Sequence, residues 1–143
     1  MRLLARQQVY AIAAAALLAL TACNKNTNTP TGPSAPPTKT DTFSSSFAQT
    51  GSVTHLFTVA ATGQVTVSLT SVQPLSTMAL GVGMMTSDGT SCLSTLTQND
   101  NARASAPALQ GTATAGSYCI RVYDSGNVPI STTVTYTVTV EHP

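Results

Sequence analysis

The chain has no tryptophan and little charge: Asp, Glu, Lys and Arg together make up 8% of its 143 residues, against a usual share of about 25%. From Asp41 onward, two basic side chains (Arg103 and Arg121) stand against five acidic ones, a net of −3. That balance offers no basic footprint for phosphate backbones and excludes DNA or RNA as the expected partner. Without tryptophan, any stacking platform for a sugar has to come from tyrosines such as Tyr123. No G-x-S-x-G occurs, which removes the nucleophile elbow of serine hydrolases, and no C-x-x-C, which removes the commonest dithiol redox spacing. The longest apolar run, Val9 to Leu20, is well short of the roughly 20 residues a membrane-crossing helix needs. The five carboxylates of the domain, Asp41, Asp88, Asp100, Asp124 and Glu141, fall in expected turns or at termini. A glycosidase pair facing one substrate is therefore not expected.

What is present begins with an export signal. Met1 to Gln8 holds Arg2 and Arg6 with no acid, the apolar run follows, and small residues end it, which is the order of a secretory signal peptide. Its end, Leu20-Thr21-Ala22-Cys23, resembles the lipobox of bacterial lipoproteins: a branched apolar residue three positions before a cysteine, and a small residue directly before it. The alternative is an ordinary signal peptide with a chance cysteine. The resemblance implies cleavage before Cys23, a diacylglyceryl group on its thiol and a lipid bilayer as the first partner. Each buried methylene contributes about 0.8 kcal/mol, so two or three acyl chains anchor a protein durably. Asn24 follows where the family's inner-membrane retention signal usually has Asp, which points to the outer membrane in a Gram-negative host.

Three segments result: a leader over residues 1–22, a lipidated cysteine with its linker over 23–40, and a domain over 41–143. The linker reads NKNTNTPTGPSAPPTK from Asn24 to Lys39, with four prolines and no large apolar residue. Such a stretch cannot bury enough surface to offset its ordering entropy and acts as a tether. As sixteen residues it reaches roughly 50 Å in extended polyproline geometry.

Beyond Asp41 the apolar period becomes two. Strands are predicted over Thr42–Ala48, Ser52–Ala60, Gln64–Val72, Met78–Thr86, Cys92–Leu96, Ala104–Leu109, Gly116–Tyr123 and Thr132–Glu141. The last is the cleanest, with Val134, Tyr136, Val138 and Val140 alternating against threonines. Gln98-Asn99-Asp100-Asn101 reads as a polar loop. Gly81 and Gly83 leave a flat strip where a backbone, ligand or loop can approach. Seven or eight short antiparallel strands in about 100 residues predict an all-β two-sheet sandwich, jelly-roll or immunoglobulin-like. The elements HLFTVAATGQVTVSL, ALGVGMMTSDG, AGSYCIRVYDSGN and TYTVTV together resemble the bacterial pre-peptidase C-terminal domain, a jelly-roll-like sandwich similar to clostridial collagen-binding domains. The resemblance implies a processing, solubility or adhesion module, without the enzyme behind which such modules usually ride.

With Cys23 assigned to lipid, Cys92 and Cys119 form an even pair in an oxidising compartment and are expected to bridge. Closing the 27-residue loop between them is worth about 3.5 kcal/mol in the chain-entropy model. By strand parity Cys119 points away from Tyr118, Ile120 and Val122, so the bridge is expected on an outer or edge face. Calcium is the best candidate ligand, through Asp88, Asp100 and Asp124 in acidic turns, although Asp also populates turns for its own local hydrogen bonds. His55 and His142 are expected to face solvent and to fray, respectively; a shared transition metal is the alternative. Arg121 and Tyr123 share one outward strand face and form a candidate contact patch. The composite expectation is a non-enzymatic, lipid-anchored envelope module that binds an envelope protein or polysaccharide. An accessory or inhibitor of an envelope enzyme, similar to lysozyme-inhibitor-like proteins, is the second reading.

Overall fold

The structure, a computed structural model, describes residues 38–143; the leader, Cys23 and most of the linker lie outside the described residues. Eight strands follow in order: β1 (Lys39–Ala48), β2 (Ser52–Val59), β3 (Gly63–Gln73), β4 (Leu80–Ser87), β5 (Cys92–Ala102), β6 (Ala106–Ala113), β7 (Gly116–Tyr123) and β8 (Thr133–His142). They form two four-stranded antiparallel sheets, β1-β8-β3-β6 and β2-β7-β4-β5. Each strand of the first half pairs with its mirror in the second, 1 with 8, 2 with 7, 3 with 6 and 4 with 5. The domain is thus one long hairpin rolled up, and the added β3–β8 and β4–β7 pairings close each sheet. This is the jelly-roll order.

Alternation makes the core. From the first sheet Phe47, Val65, Val67, Leu69, Val134, Val138 and Val140 point inward, and from the second Phe57, Leu80, Val82, Met84, Ile120 and Val122 meet them. Burying a side chain of this size contributes about 1.5–3 kcal/mol, and the threonines between them stay on the outer faces. In β3 a register shift between Leu69 and Ser71 turns the chain by one residue, which is how Val72 is 1% exposed although it breaks the alternation with Leu69. The bulge preserves a buried face that strict period two would lose.

Three expectations are corrected here. β5 runs through Gln98-Asn99-Asp100-Asn101, which is strand and not loop. Its polar side chains find partners: Asn99 Nδ2 donates to the Ala108 carbonyl of β6 at 3.0 Å, and Asp100 accepts from the Tyr123 hydroxyl. β1 begins at Lys39, three residues before the predicted start at Thr42, because it pairs along its whole length with β8 from Lys39↔His142 to Ala48↔Thr133. Asp41, Asp100 and Glu141 consequently lie in strands, and only Asp88 and Asp124 lie outside them.

The histidines are the third correction. His142 is 1% exposed and continues the inward face of β8; its Nε2 is 3.0 Å from Asp41 Oδ2, its Nδ1 3.1 Å from the Pro143 carbonyl, and its ring lies 5.3 Å from that of Phe57. Covered by β1, it does not fray. Asp41 is held below the usual carboxylate range, first by its hydrogen bond from Lys39 and then, against the opposing effect of burial, by His142. His55 faces inward too, stacked on Phe43 with ring centroids 4.8 Å apart and with Nε2 2.7 Å from the Tyr136 hydroxyl. The β1/β2 side of the sandwich is therefore plugged with aromatic rings and satisfied polar groups.

Burial pushes the pKa of His55 below its ordinary 6.5. The unfolded chain takes up that proton first as pH falls, so acidification through about 6.5 removes stability until the folded value is reached. The expected outcome is a fall in the urea unfolding midpoint between pH 7.5 and pH 5 that is smaller in His55→Gln than in the parent protein.

Candidate functional site

β7 carries Ser117, Cys119, Arg121 and Tyr123 on its outer face. The sheet register sets Tyr123 opposite Ser52 of β2 and Gly81 of β4, and Arg121 opposite Thr54 and Gly83. Glycine at 81 has a direct reason: a Cβ there would run into the Tyr123 ring. The flat strip read from the two glycines is covered at Gly81 by that ring. Gly83 is buried as well, but an added Cβ there would make only ordinary contacts, with Gln98 Cβ at 3.7 Å and the Thr97 carbonyl at 3.8 Å.

The Tyr123 hydroxyl donates to Asp100 Oδ1, and its pKa is pushed up to about 12 by burial and then by the Asp100 carboxylate. The Arg121 guanidinium sits 5.3 Å from the centre of the Tyr123 ring, a cation–π distance, and Nη2 donates to Ser52 Oγ at 3.3 Å. Arg121 and Tyr123 do come together as a patch, and it spans all four strands of its sheet. Asp100 and Ser52 are the members that sequence reasoning missed. They lie 23 and 69 residues away along the chain from their partners, and only the register brings them in. Chemically the patch brings together an exposed cation, a half-buried tyrosine and an exposed carboxylate.

The three acidic calcium candidates do other things. Asp88 caps its own turn, with Oδ1 accepting from Thr90 N at 2.8 Å and Ser91 N at 2.7 Å, and these bonds hold its pKa below the ordinary value. Asp124 joins two loops. Its Oδ2 accepts from Thr50 N at 2.9 Å, and its Oδ1 from Gly126, Asn127 and Val128 N–H groups. Burial works to raise its pKa, and those four donors outweigh it. Thr50, in the left-handed region at φ 61, is held there by this bond. Asp100 serves Tyr123. Among the described residues, no group of three or more His, Cys, Asp or Glu is arranged to hold a metal ion, and His55 and His142 bond to different partners, Tyr136 and Asp41.

Cys92 and Cys119 are bridged, with Cα atoms 5.8 Å apart. Cys119 is fully buried yet stands outside the central apolar cluster, and Cys92 opens β5 on the other side of β4. The bridge ties β5 to β7 on the outer face, as parity indicates. Cys23 lies outside the described residues.

Comparison of the chain with protein-family models finds no match, and comparison with curated proteins finds none either.

Two glycines on one strand give a paired test of the patch. Gly81→Ala forces Tyr123 off its seat and is expected to cost about 1–3 kcal/mol, as overpacking does. Gly83→Ala meets ordinary contact distances and is expected to change stability by less than about 1 kcal/mol. Urea denaturation of both variants checks the difference.

Proposed function

We propose that the protein is a lipid-anchored, non-enzymatic module of the bacterial cell envelope, a β-sandwich held at a membrane through Cys23 and presented for binding, adhesion or structural support. The observation that carries this reading is Leu20-Thr21-Ala22-Cys23 at the end of a short apolar run, followed by a proline-rich tether. The address is the outer membrane in a Gram-negative host, since Asn24 takes the place of the retention signal. The resemblance to pre-peptidase C-terminal domains, which serve as adhesion, solubility or processing modules, points the same way.

The layout of the domain supports presentation. The tether enters at Lys39, which pairs with His142. By register, the β1–β2, β3–β4, β5–β6 and β7–β8 loops gather at the other end of the sandwich, near the Ala48↔Thr133, Gln73↔Thr135 and Gly81↔Tyr123 pairs. Loops held on a rigid scaffold are the usual seat of recognition. Here two of them expose Leu75 at 56% and Ile130 at 79%. The partner in this reading is an envelope protein or polysaccharide met by that end or by the Arg121–Tyr123 face.

Two measurements test it. Cys23→Ser is expected to abolish palmitate labelling and leave an unprocessed precursor; a processed, membrane-bound, palmitate-labelled Cys23→Ser protein would contradict lipid anchoring. Capture from envelope extracts and glycan or collagen arrays is expected to return a non-enzyme partner, whereas stoichiometric loss of an envelope enzyme's activity on mixing would favour the inhibitor reading.

A further inference from the structure

The charge of the domain is divided between its two ends. β4 runs from Leu80 to Ser87, so Asp88 lies in a loop at the end where the tether enters, and Asp41 and Glu141 lie at that end too, on the paired strands β1 and β8. These three carboxylates account for the whole net of −3 counted from Asp41; Lys39, bonded to Asp41, offsets one of them. Both arginines belong to the opposite end. Arg103 is exposed in the β5–β6 loop and donates to the Thr77 carbonyl of the β3–β4 loop, and Arg121 reaches Ser52 at the start of β2. The two carboxylates of that end accept from protein donors, Asp100 from the Tyr123 hydroxyl and Asp124 from the N–H groups of Thr50, Gly126, Asn127 and Val128. An anionic surface therefore repels the tether end and admits the other.

The same end presents two matching turns. Pro74-Leu75-Ser76-Thr77 in the β3–β4 loop and Pro129-Ile130-Ser131-Thr132 in the β7–β8 loop share one order: proline, branched aliphatic, serine, threonine. Each is closed by a backbone hydrogen bond, Met78 N to the Leu75 carbonyl at 3.0 Å and Thr132 N to the Pro129 carbonyl at 3.2 Å. Proline fixes its own φ at the head of each turn. The neighbouring apolar residues Met78 and Val128 are buried, while Leu75 is 56% and Ile130 79% exposed, so each tip carries one aliphatic side chain backed by hydroxyls. That order matches a membrane interface, where an aliphatic group enters the acyl boundary while hydroxyls and arginines stay at headgroup depth.

We propose that this end of the sandwich docks on an anionic lipid bilayer, with Leu75 and Ile130 entering the acyl boundary and Arg103 and Arg121 facing lipid phosphates. The contact is additional to an anchor at Cys23. The sixteen residues of the tether reach roughly 50 Å when extended, and the ten residues of β8 span about 33 Å. A chain anchored at Cys23 is thus long enough to lay this end on the same bilayer. The inference rests on the envelope reading for the presence of a bilayer, and not on acylation of Cys23.

The chain has no tryptophan, so Leu75→Trp and Ile130→Trp each introduce a single reporter, with Thr42→Trp on the exposed outer face of β1 as the control. The full chain is reconstituted into vesicles of phosphatidylethanolamine and phosphatidylglycerol, with and without acyl-brominated lipid, which quenches only tryptophan that reaches the acyl region. Attachment through an acylated Cys23 or through an uncleaved leader serves equally, so a failure of the lipidation reading leaves this test standing. Far-UV circular dichroism and the absence of free thiol at Cys92 and Cys119 verify the fold. The expected result is bromolipid quenching at both tips and none at Thr42→Trp. Arg103→Gln is expected to lower the docked-to-free ratio about fivefold, the effect of one basic residue near an anionic surface, and Arg121→Gln or phosphatidylcholine vesicles to lower it as well. No quenching at either tip, equal quenching at Thr42→Trp, or a blue-shifted tip emission that bromolipid does not quench, as burial in a protein partner gives, would each overturn the proposal. Quenching indifferent to both arginines and to lipid charge would overturn the anionic surface.

Discussion

The pairing of β1 with β8 is the constraint on which the rest of the domain depends. The paired residues lie between 85 and 103 positions apart in sequence, yet they match over ten consecutive pairs, from Lys39↔His142 to Ala48↔Thr133. Such a contact repays its loop-closure entropy only once the intervening strands are in place. Formed, it shuts the roll. It covers His142, sets Asp41 beside it and brings Phe43 over His55.

Closure by β1 also explains how a core with polar members remains satisfied. His142 is the one buried polar or charged residue among the described residues, and its two ring nitrogens have oxygen partners in Asp41 and Pro143. No buried side-chain nitrogen or oxygen among the described residues lacks a partner. Leaving such a group unpaired would cost about 1–3 kcal/mol, a large part of the stability of a small domain. The β1/β2 side is thus closed by aromatic rings and paired polar groups, whereas the β5/β6 side keeps a recess lined by core residues and is bridged by the Asn99–Ala108 bond.

Much of this was legible in the sequence because period two is a strong signal wherever one face is buried. β8 announces itself through Val134, Tyr136, Val138 and Val140, and the pairing of Cys92 with Cys119 followed from counting. The failures share a cause. Gln98-Asn99-Asp100-Asn101 looks like a loop because its residues are polar, and its strand identity rests on partners in other strands, Ala108 and Tyr123, that no local pattern reveals. His142 was readable in principle, since it continues the alternation of β8 by one more step, but a terminal position argued for fraying until β1 was known to cover it. The Arg121–Tyr123 patch followed from parity, whereas Asp100, Ser52 and the seat on Gly81 depend on register, which composition does not encode.

The most direct test of closure by β1 is hydrogen exchange followed by mass spectrometry on the full chain. As an outer strand, β1 bonds to β8 through alternate amides, so about half of the Lys39–Ala48 amides are expected to exchange as slowly as those of β8, opening only with the whole domain. Exchange of Lys39–Ala48 at free-peptide rates while β8 remains protected would contradict a roll closed by that strand.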